Sequence, residues 1–177
     1  IVAPLDSELS ARCAEIRYTS TAIVVLAYPR EQVTRPVVGS GFVVPRAESS
    51  SVLAATWITS KWENRAPAGQ VLMRLFVGGA RDPAAVDRHD TELIEQAVAF
   101  LAPIAGLTGR PGSARVYRWR RASAQHEVGH MTRMQAIERL LARQPGLFVT
   151  GSGFRVTGIP DCIADARATA SAAAFGH

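Results

Sequence analysis

The residues whose types and spacing could do chemistry gather in the last third of the chain. His126-Glu127-Val128-Gly129-His130 matches H-E-x-x-H. At that spacing two imidazoles share one helix face and hold a zinc ion, and the glutamate serves as base. Two features work against this chemistry. Gly129 would lie inside the helix, at a cost of about 1 kcal/mol relative to alanine. A catalytic zinc also needs a third protein ligand. Glu138 is two turns further down the same helix, and His89 and His177 sit on distant segments. A second arrangement is Gly146-Leu-Phe-Val-Thr150, then Gly151-Ser-Gly153, then Gly158-Ile-Pro-Asp161. It reads as strand, glycine turn and helix start. Glycine lets backbone approach a ligand closely. Pro160 suits a first helical turn, and free amides there meet a negative group. An ordinary tight connection would look the same. The string lacks the third glycine of a dinucleotide fingerprint, and Gly39-Ser-Gly41 fails because a strand follows it.

The remaining composition narrows the function classes. Lys and Arg total 20 against 15 Asp and Glu, a net charge of +5. This excess suits an acidic ligand, nucleic acid or anionic lipid. Nucleic acid would call for basic runs interleaved with aromatics. The one such cluster is Arg115, Tyr117, Arg118, Trp119, Arg120 and Arg121. Alternation puts Arg118 and Arg120 on one strand face and Tyr117 and Trp119 on the other, so an amphipathic strand is favoured over a nucleic-acid stripe. Two cysteines, Cys13 and Cys162, are too few for a disulfide framework, which points to a reducing compartment such as the cytoplasm. Cys162 follows a helix start, where the dipole lowers a thiol pKa; a small buried residue is the plainer reading. The longest apolar run, 21–28, is too short to span a bilayer, so any membrane contact is expected to be peripheral.

Periodicity supplies the elements that must position these residues. Asp6 caps a helix with Leu9, Cys13 and Ile16 on one face. Residues 21–28, 41–44, 52–58 and 71–77 read as strands, with a turn at 64–69. Asp90 begins a helix carrying Leu93, Ile94, Ala97, Val98 and Leu101. Residues 114–121 form a strand, 130–143 a helix with Met134, Ile137 and Leu141 inward, and 146–150 a short strand. The alanine-rich tail, 164–174, is a helix. Four consecutive strands with short connections, followed by helices, predict an α+β fold on a largely antiparallel sheet. Ile1-Val2-Ala3-Pro4 reads like the end of a buried strand and suggests a fragment.

Six strings occur in order along the chain: Gly39-Ser-Gly41-Phe-Val-Val-Pro45-Arg46, Ala55-Thr-Trp57-Ile-Thr-Ser60-Lys61-Trp62, Asn64-Arg-Ala-Pro67, Leu72-Met-Arg74-Leu-Phe76-Val-Gly78-Gly79, Gln125-His-Glu-Val-Gly129-His130 and Gly158-Ile-Pro-Asp-Cys162-Ile163. Together they resemble the C-terminal half of the protoporphyrinogen and coproporphyrinogen oxidases of the flavin-containing amine oxidase superfamily. The resemblance makes the H-E-x-x-H match a by-product. Similar members carry Pro-Gln-Tyr before Val-Gly-His, where this chain has Ala124, Gln125 and His126.

The resemblance implies a six-electron oxidation of a porphyrinogen to a porphyrin in heme biosynthesis, with FAD as cofactor and oxygen as acceptor. It implies that Thr157, Gly158 and Ile159 face the pyrimidine side of the flavin, that Ser152 approaches FAD and that Trp119 lies near the ring. It also implies a division into 1–20 as a return from the FAD-binding part, 21–145 as the substrate-binding sheet with its helices, and 146–177 as the C-terminal strand, turn and helix of the FAD-binding part. The partner would be an N-terminal FAD-binding segment with a G-x-G-x-x-G loop before Ile1. Apolar residues near 1–2 and 148–149 would dimerise or aggregate without it. Arginines suit the substrate's propionates. No residue matches a catalytic base. A flavin-free binding domain of the same descent and a zinc hydrolase are the rival readings. We expect His126 and His130 to hold no stoichiometric zinc. Metal analysis of the purified protein checks this, and one tightly held zinc per chain, lost in His130→Ala, would overturn it.

Overall fold

The computed structural model describes residues 2–176. They fold as two compact units. A terminal unit takes the chain up to Tyr18 and from Ser123 onward, and a sheet unit takes Thr19–Ala122. The expected division near residues 20 and 145 comes from the family resemblance; the compact units follow packing.

In the sheet unit five strands, β1 (Tyr18–Pro29), β2 (Gly41–Val43), β3 (Val52–Trp57), β4 (Gln70–Gly78) and β5 (Ser113–Ala124), lie in the order β2-β3-β4-β1-β5. The β1–β4, β3–β4 and β2–β3 ladders are antiparallel. β5 runs against β1: the Arg121 N–H donates to Ser20 Oγ, and the Gln125 N–H to the Arg17 carbonyl. The run Ala22-Ile-Val-Val-Leu-Ala-Tyr28 makes a strand because β-branched and aromatic side chains suit a pleated surface. Its alternate members Ala22, Val24 and Leu26, with Val71, Met73, Leu75 and Val77 of β4, are almost wholly buried. A helix numbered α3 below (Asp90–Ala105) joins the same core through Leu93, Ala97, Leu101 and Ala105, spaced four residues apart on one face. Glu92 accepts from the His89 N–H at 3.1 Å at its start, and Gly106 ends it in the left-handed region.

The terminal unit is helical: α1 (Ser7–Ala14), α4 (His130–Leu141) and α5 (Ile159–Phe175). Leu9, Ile16, Met134, Ile137 and Leu140 form its core. The Asp6 side chain caps α1, accepting from the Leu9 N–H at 2.9 Å. No residue of α5 is fully buried. No helix among the described residues is long and apolar enough to cross a membrane.

The expected α+β fold on an antiparallel sheet is the fold observed. Local departures have local causes. Residues 147–150, expected as a strand, carry no regular secondary structure, since no strand pairs with them among the described residues. Residues 3–5 form turns rather than a strand end, and Ile1 lies outside the described residues. The third strand stops at Trp57, because Ile58 opens the one-turn helix α2 (Ile58–Lys61). On α4 the innermost leucine is Leu140 rather than Leu141, one step round the helix.

Gly41 illustrates how closely β2 approaches β3. It sits at φ +122°, and a Cβ there would stand 2.0 Å from the Ala55 carbonyl oxygen. We expect Gly41→Ala to lower stability by more than about 2 kcal/mol, read by thermal or denaturant unfolding, because backbone strain and a backbone clash add. The Asp6 carboxyl lies below its ordinary value of 3.8, mainly because the Leu9 N–H donates to it. A depressed folded pKa contributes stability that is complete above the unfolded value and is lost as pH falls through the folded one. Unfolding midpoints should therefore fall in acid below the ordinary aspartate range, with a smaller fall in Asp6→Asn, which caps without titrating.

Candidate functional site

In the terminal unit the site grows from a turn held on several sides. Residues 152–155 turn back toward α4 and α5. Arg155 ties them down, with Nε on Glu138 Oε1 of α4 at 3.0 Å and Nη1 on the Val149 carbonyl at 2.9 Å and on Asp165 Oδ1 of α5 at 3.5 Å. The Thr150 hydroxyl donates to Asp165 Oδ2 at 2.6 Å. Gly153 is buried where a Cβ would meet the Tyr18 hydroxyl at 2.1 Å, so a larger residue would have to displace the end of the Tyr18 side chain. The His126 and His130 rings stack at 3.9 Å with an interplanar angle of 11°. Their Nε2 atoms donate to the Ser152 and Phe154 carbonyls, at 3.0 and 2.5 Å. A carbonyl only accepts, so each Nε2 carries a proton. The other ring nitrogen of His130, Nδ1, is buried without a partner. The two histidines thus staple the turn rather than converge on a point. No group of three metal-ligating side chains occurs among the described residues, and His177 lies outside them.

Beyond this turn, α5 begins at Gly158. No side chain caps its N-terminus, Pro160 occupies the first turn, and Thr157 and Ile159 are exposed. First-turn amides are therefore free to face an acceptor. Asp161 folds back over the cap: its Oδ2 would stand 2.7 Å from a Cβ on residue 158. Further along α5, a cleft of about 420 Å³ opens against α4, lined by Leu141, Leu147, Phe148, Ala168 and Ala172.

In the sheet unit the two faces have different fates. One is closed by α3. The other carries Ile23, Val25, Leu72, Arg74 and Phe76, placed side by side by the pairs Ile23↔Phe76, Val25↔Arg74 and Thr56↔Arg74. None of these side chains belongs to the core that α3 closes. On β5, Ala114 and Val116 pack against that core, so alternation puts Arg115, Tyr117 and Trp119 on the second face. Tyr117 and Trp119 are 54% and 57% exposed. The intervening arginines serve structure. Arg118 binds the Val86 and Arg88 carbonyls and the Asp90 carboxylate, and Arg120 binds Asp87. The expected split of arginines and aromatics between strand faces is thus observed, with the aromatics outward.

Of the residues expected around a flavin, Ser152, Thr157, Gly158 and Ile159 stand together in the terminal unit, at the stapled turn and the start of α5. Trp119 stands in the sheet unit. Arg74 escaped sequence reasoning as a site residue. Its signal was available: it is the one charged side chain in the apolar run from Val71 to Val77.

A family model described as flavin containing amine oxidoreductase matches residues 2–174. Coproporphyrinogen III oxidase of Bacillus subtilis is 36% identical over 154 residues, which are 86% of this chain and 33% of that protein. The enzyme of the same name from Propionibacterium freudenreichii is 36% identical over 158 residues, 89% of this chain and 29% of its own. A crystal structure from Exiguobacterium sp. 255-15, described as a candidate protoporphyrinogen oxidase, superposes with a TM-score of 0.80 at 30% identity, covering 93% of this chain and 36% of that one. The chain spans about a third of the length of the relatives it matches. It belongs to the flavin-containing amine oxidoreductase family, in the company of the porphyrinogen oxidases.

Proposed function

We propose that the chain is the C-terminal part of an FAD-dependent porphyrinogen oxidase, which converts a porphyrinogen to a porphyrin with oxygen as acceptor. The observation that carries this reading is 36% identity to coproporphyrinogen III oxidases over more than four fifths of the chain. In the reaction six electrons and six protons leave the porphyrinogen, and oxygen is reduced to hydrogen peroxide.

The residues present fit one edge of a flavin. The uncapped start of α5 offers amides at Gly158 and Ile159 to a ring acceptor, with Thr157 beside them. Ser152 stands on a turn whose backbone is fixed by His126 and by Arg155. Trp119 presents an exposed aromatic surface. FAD, when bound, accepts the reducing equivalents and passes them to oxygen. This chain's part is to orient the ring edge, to offer the apolar second face of the sheet to the macrocycle, and to keep the turn rigid. No side chain here is assigned a proton transfer.

The chain has no glycine-rich loop for the pyrophosphate. FAD is held largely through such a loop and a helix N-terminus. Losing several charge-assisted hydrogen bonds at about 1.5–3 kcal/mol each, at about 1.4 kcal/mol per decade of affinity, removes several decades. The full-length polypeptide that contains this chain should therefore purify yellow and oxidise coproporphyrinogen III, followed by porphyrin fluorescence and peroxide release. The 177-residue chain alone should be colourless and inactive. Saturable FAD binding by the isolated chain near micromolar concentration would overturn the division of labour. A full-length protein that binds no flavin and oxidises no porphyrinogen would overturn the function.

A further inference from the structure

Arg74 stands at the middle of the sheet's second face. Its guanidinium carbon lies 4.8 Å from the centroid of the Phe76 ring, with Val25 and Thr56 as its cross-strand neighbours. Its Nε is buried and has no hydrogen-bond partner. No other partly buried arginine among the described residues lacks a hydrogen bond or ion pair; Arg81, Arg88, Arg118 and Arg133 all have one. The arginines that share its lack of a partner, such as Arg65, Arg110 and Arg139, are exposed, where water solvates them. No acidic residue occupies this face. Its members on β1, β3 and β4 include Ile23, Val25, Ala54, Thr56, Leu72 and Phe76, and β5 adds a further cation, Arg115.

Arg74 is half-buried, and a guanidinium whose Nε is withdrawn from water with neither a hydrogen-bond partner nor a counter-charge is costly to the fold. Its retention among apolar neighbours has a physical reason if a ligand brings the counter-charge. Such a ligand would combine a broad apolar body, to lie on Ile23, Leu72 and Phe76, with a carboxylate. A guanidinium suits that group because its planar fork accepts a carboxylate through two hydrogen bonds. Resting on the reading of the chain as part of a porphyrinogen oxidase, we propose that Arg74 is the clamp for a propionate of the substrate. It is a binding and positioning residue on the macrocycle's rim, and it makes the site prefer the free acid over an uncharged analogue.

The test uses the full-length enzyme with Arg74→Met and Arg74→Lys. Binding of coproporphyrin III and of its tetramethyl ester is followed by fluorescence, beside the unfolding midpoint and flavin absorbance of each variant. Arg74→Met should leave the midpoint unchanged or raise it, since it removes an unpaired charge from an apolar face. It should weaken coproporphyrin binding about ten- to a hundredfold, the range for a hydrogen bond to a charged group. Ester binding should hold, KM for coproporphyrinogen III should rise more than kcat falls, and Arg74→Lys should lie between. Equal losses for acid and ester would overturn the assignment. So would an unfolded or strongly destabilised Arg74→Met, which would make Arg74 a structural partner of a carboxylate elsewhere in the polypeptide. If the unsubstituted enzyme oxidises porphyrinogen while its acid-to-ester preference survives Arg74→Met, this inference alone fails. If it oxidises none, the functional reading fails and takes this inference with it.

Discussion

The antiparallel pairing of β1 with β4 is the constraint on which the sheet unit depends. Nine pairs, from Thr21↔Gly78 to Pro29↔Gln70, fix which side chains face α3 and which face away. The side-chain period of a strand is two, so a slip of one residue would exchange the faces. Arg74 and Phe76 would then enter the core now filled by Leu75 and Val77, and an unpaired guanidinium there is not tolerable. Register in this sheet is thus specified by charge as well as by hydrophobic burial. β3 extends the pattern from the other side of β4 by setting Ala55 beside Leu75 and Thr56 beside Arg74.

The second face follows from that alternation. It is apolar enough to hold a flat hydrophobic body, yet it carries cations and no acid. A face built only for stability would pair Arg74 or replace it. The same economy explains the β5 arginines, where Arg118 spends its donors on the Val86 and Arg88 carbonyls and Asp90 and so anchors the approach to α3. Two arginines of similar sequence context therefore differ, Arg118 satisfied within the fold and Arg74 with its Nε left without a partner.

The terminal unit solves a different problem, that of holding an irregular turn still. Residues 147–158 have no ladder to satisfy their backbone, so side chains do it. The imidazoles of His126 and His130 take two carbonyls, and Arg155 takes a third while reaching α4 and α5. The result is a fixed turn leading into a helix whose first amides are free. The H-E-x-x-H spelling conceals this role. Gly129, at φ +87°, caps α4, so His126 precedes the helix, and the two rings stack parallel instead of pointing at one ion.

Much of the fold was legible in the sequence. The β-branched run at 21–28, the alternation through 71–77, the Asp6 cap and the helical spacing of Leu93, Ala97 and Leu101 are local patterns with local physics. The family was legible in the ordered glycine and proline strings. The 146–150 strand was misread because an apolar pentapeptide signals burial, while a strand also needs a partner, and pairing is not a property of five residues. Four of the proposed flavin-side residues, in one short stretch from Ser152 to Ile159, rest on the family resemblance rather than on local pattern. Arg74 was not legible: its meaning lies in what surrounds it. Sequence alone determined that a cation interrupts an apolar strand. Only the tertiary structure decided that its neighbours on β1 and β3 are neutral and that its Nε has no partner, because counter-charge and desolvation are set by strands distant from it in the chain.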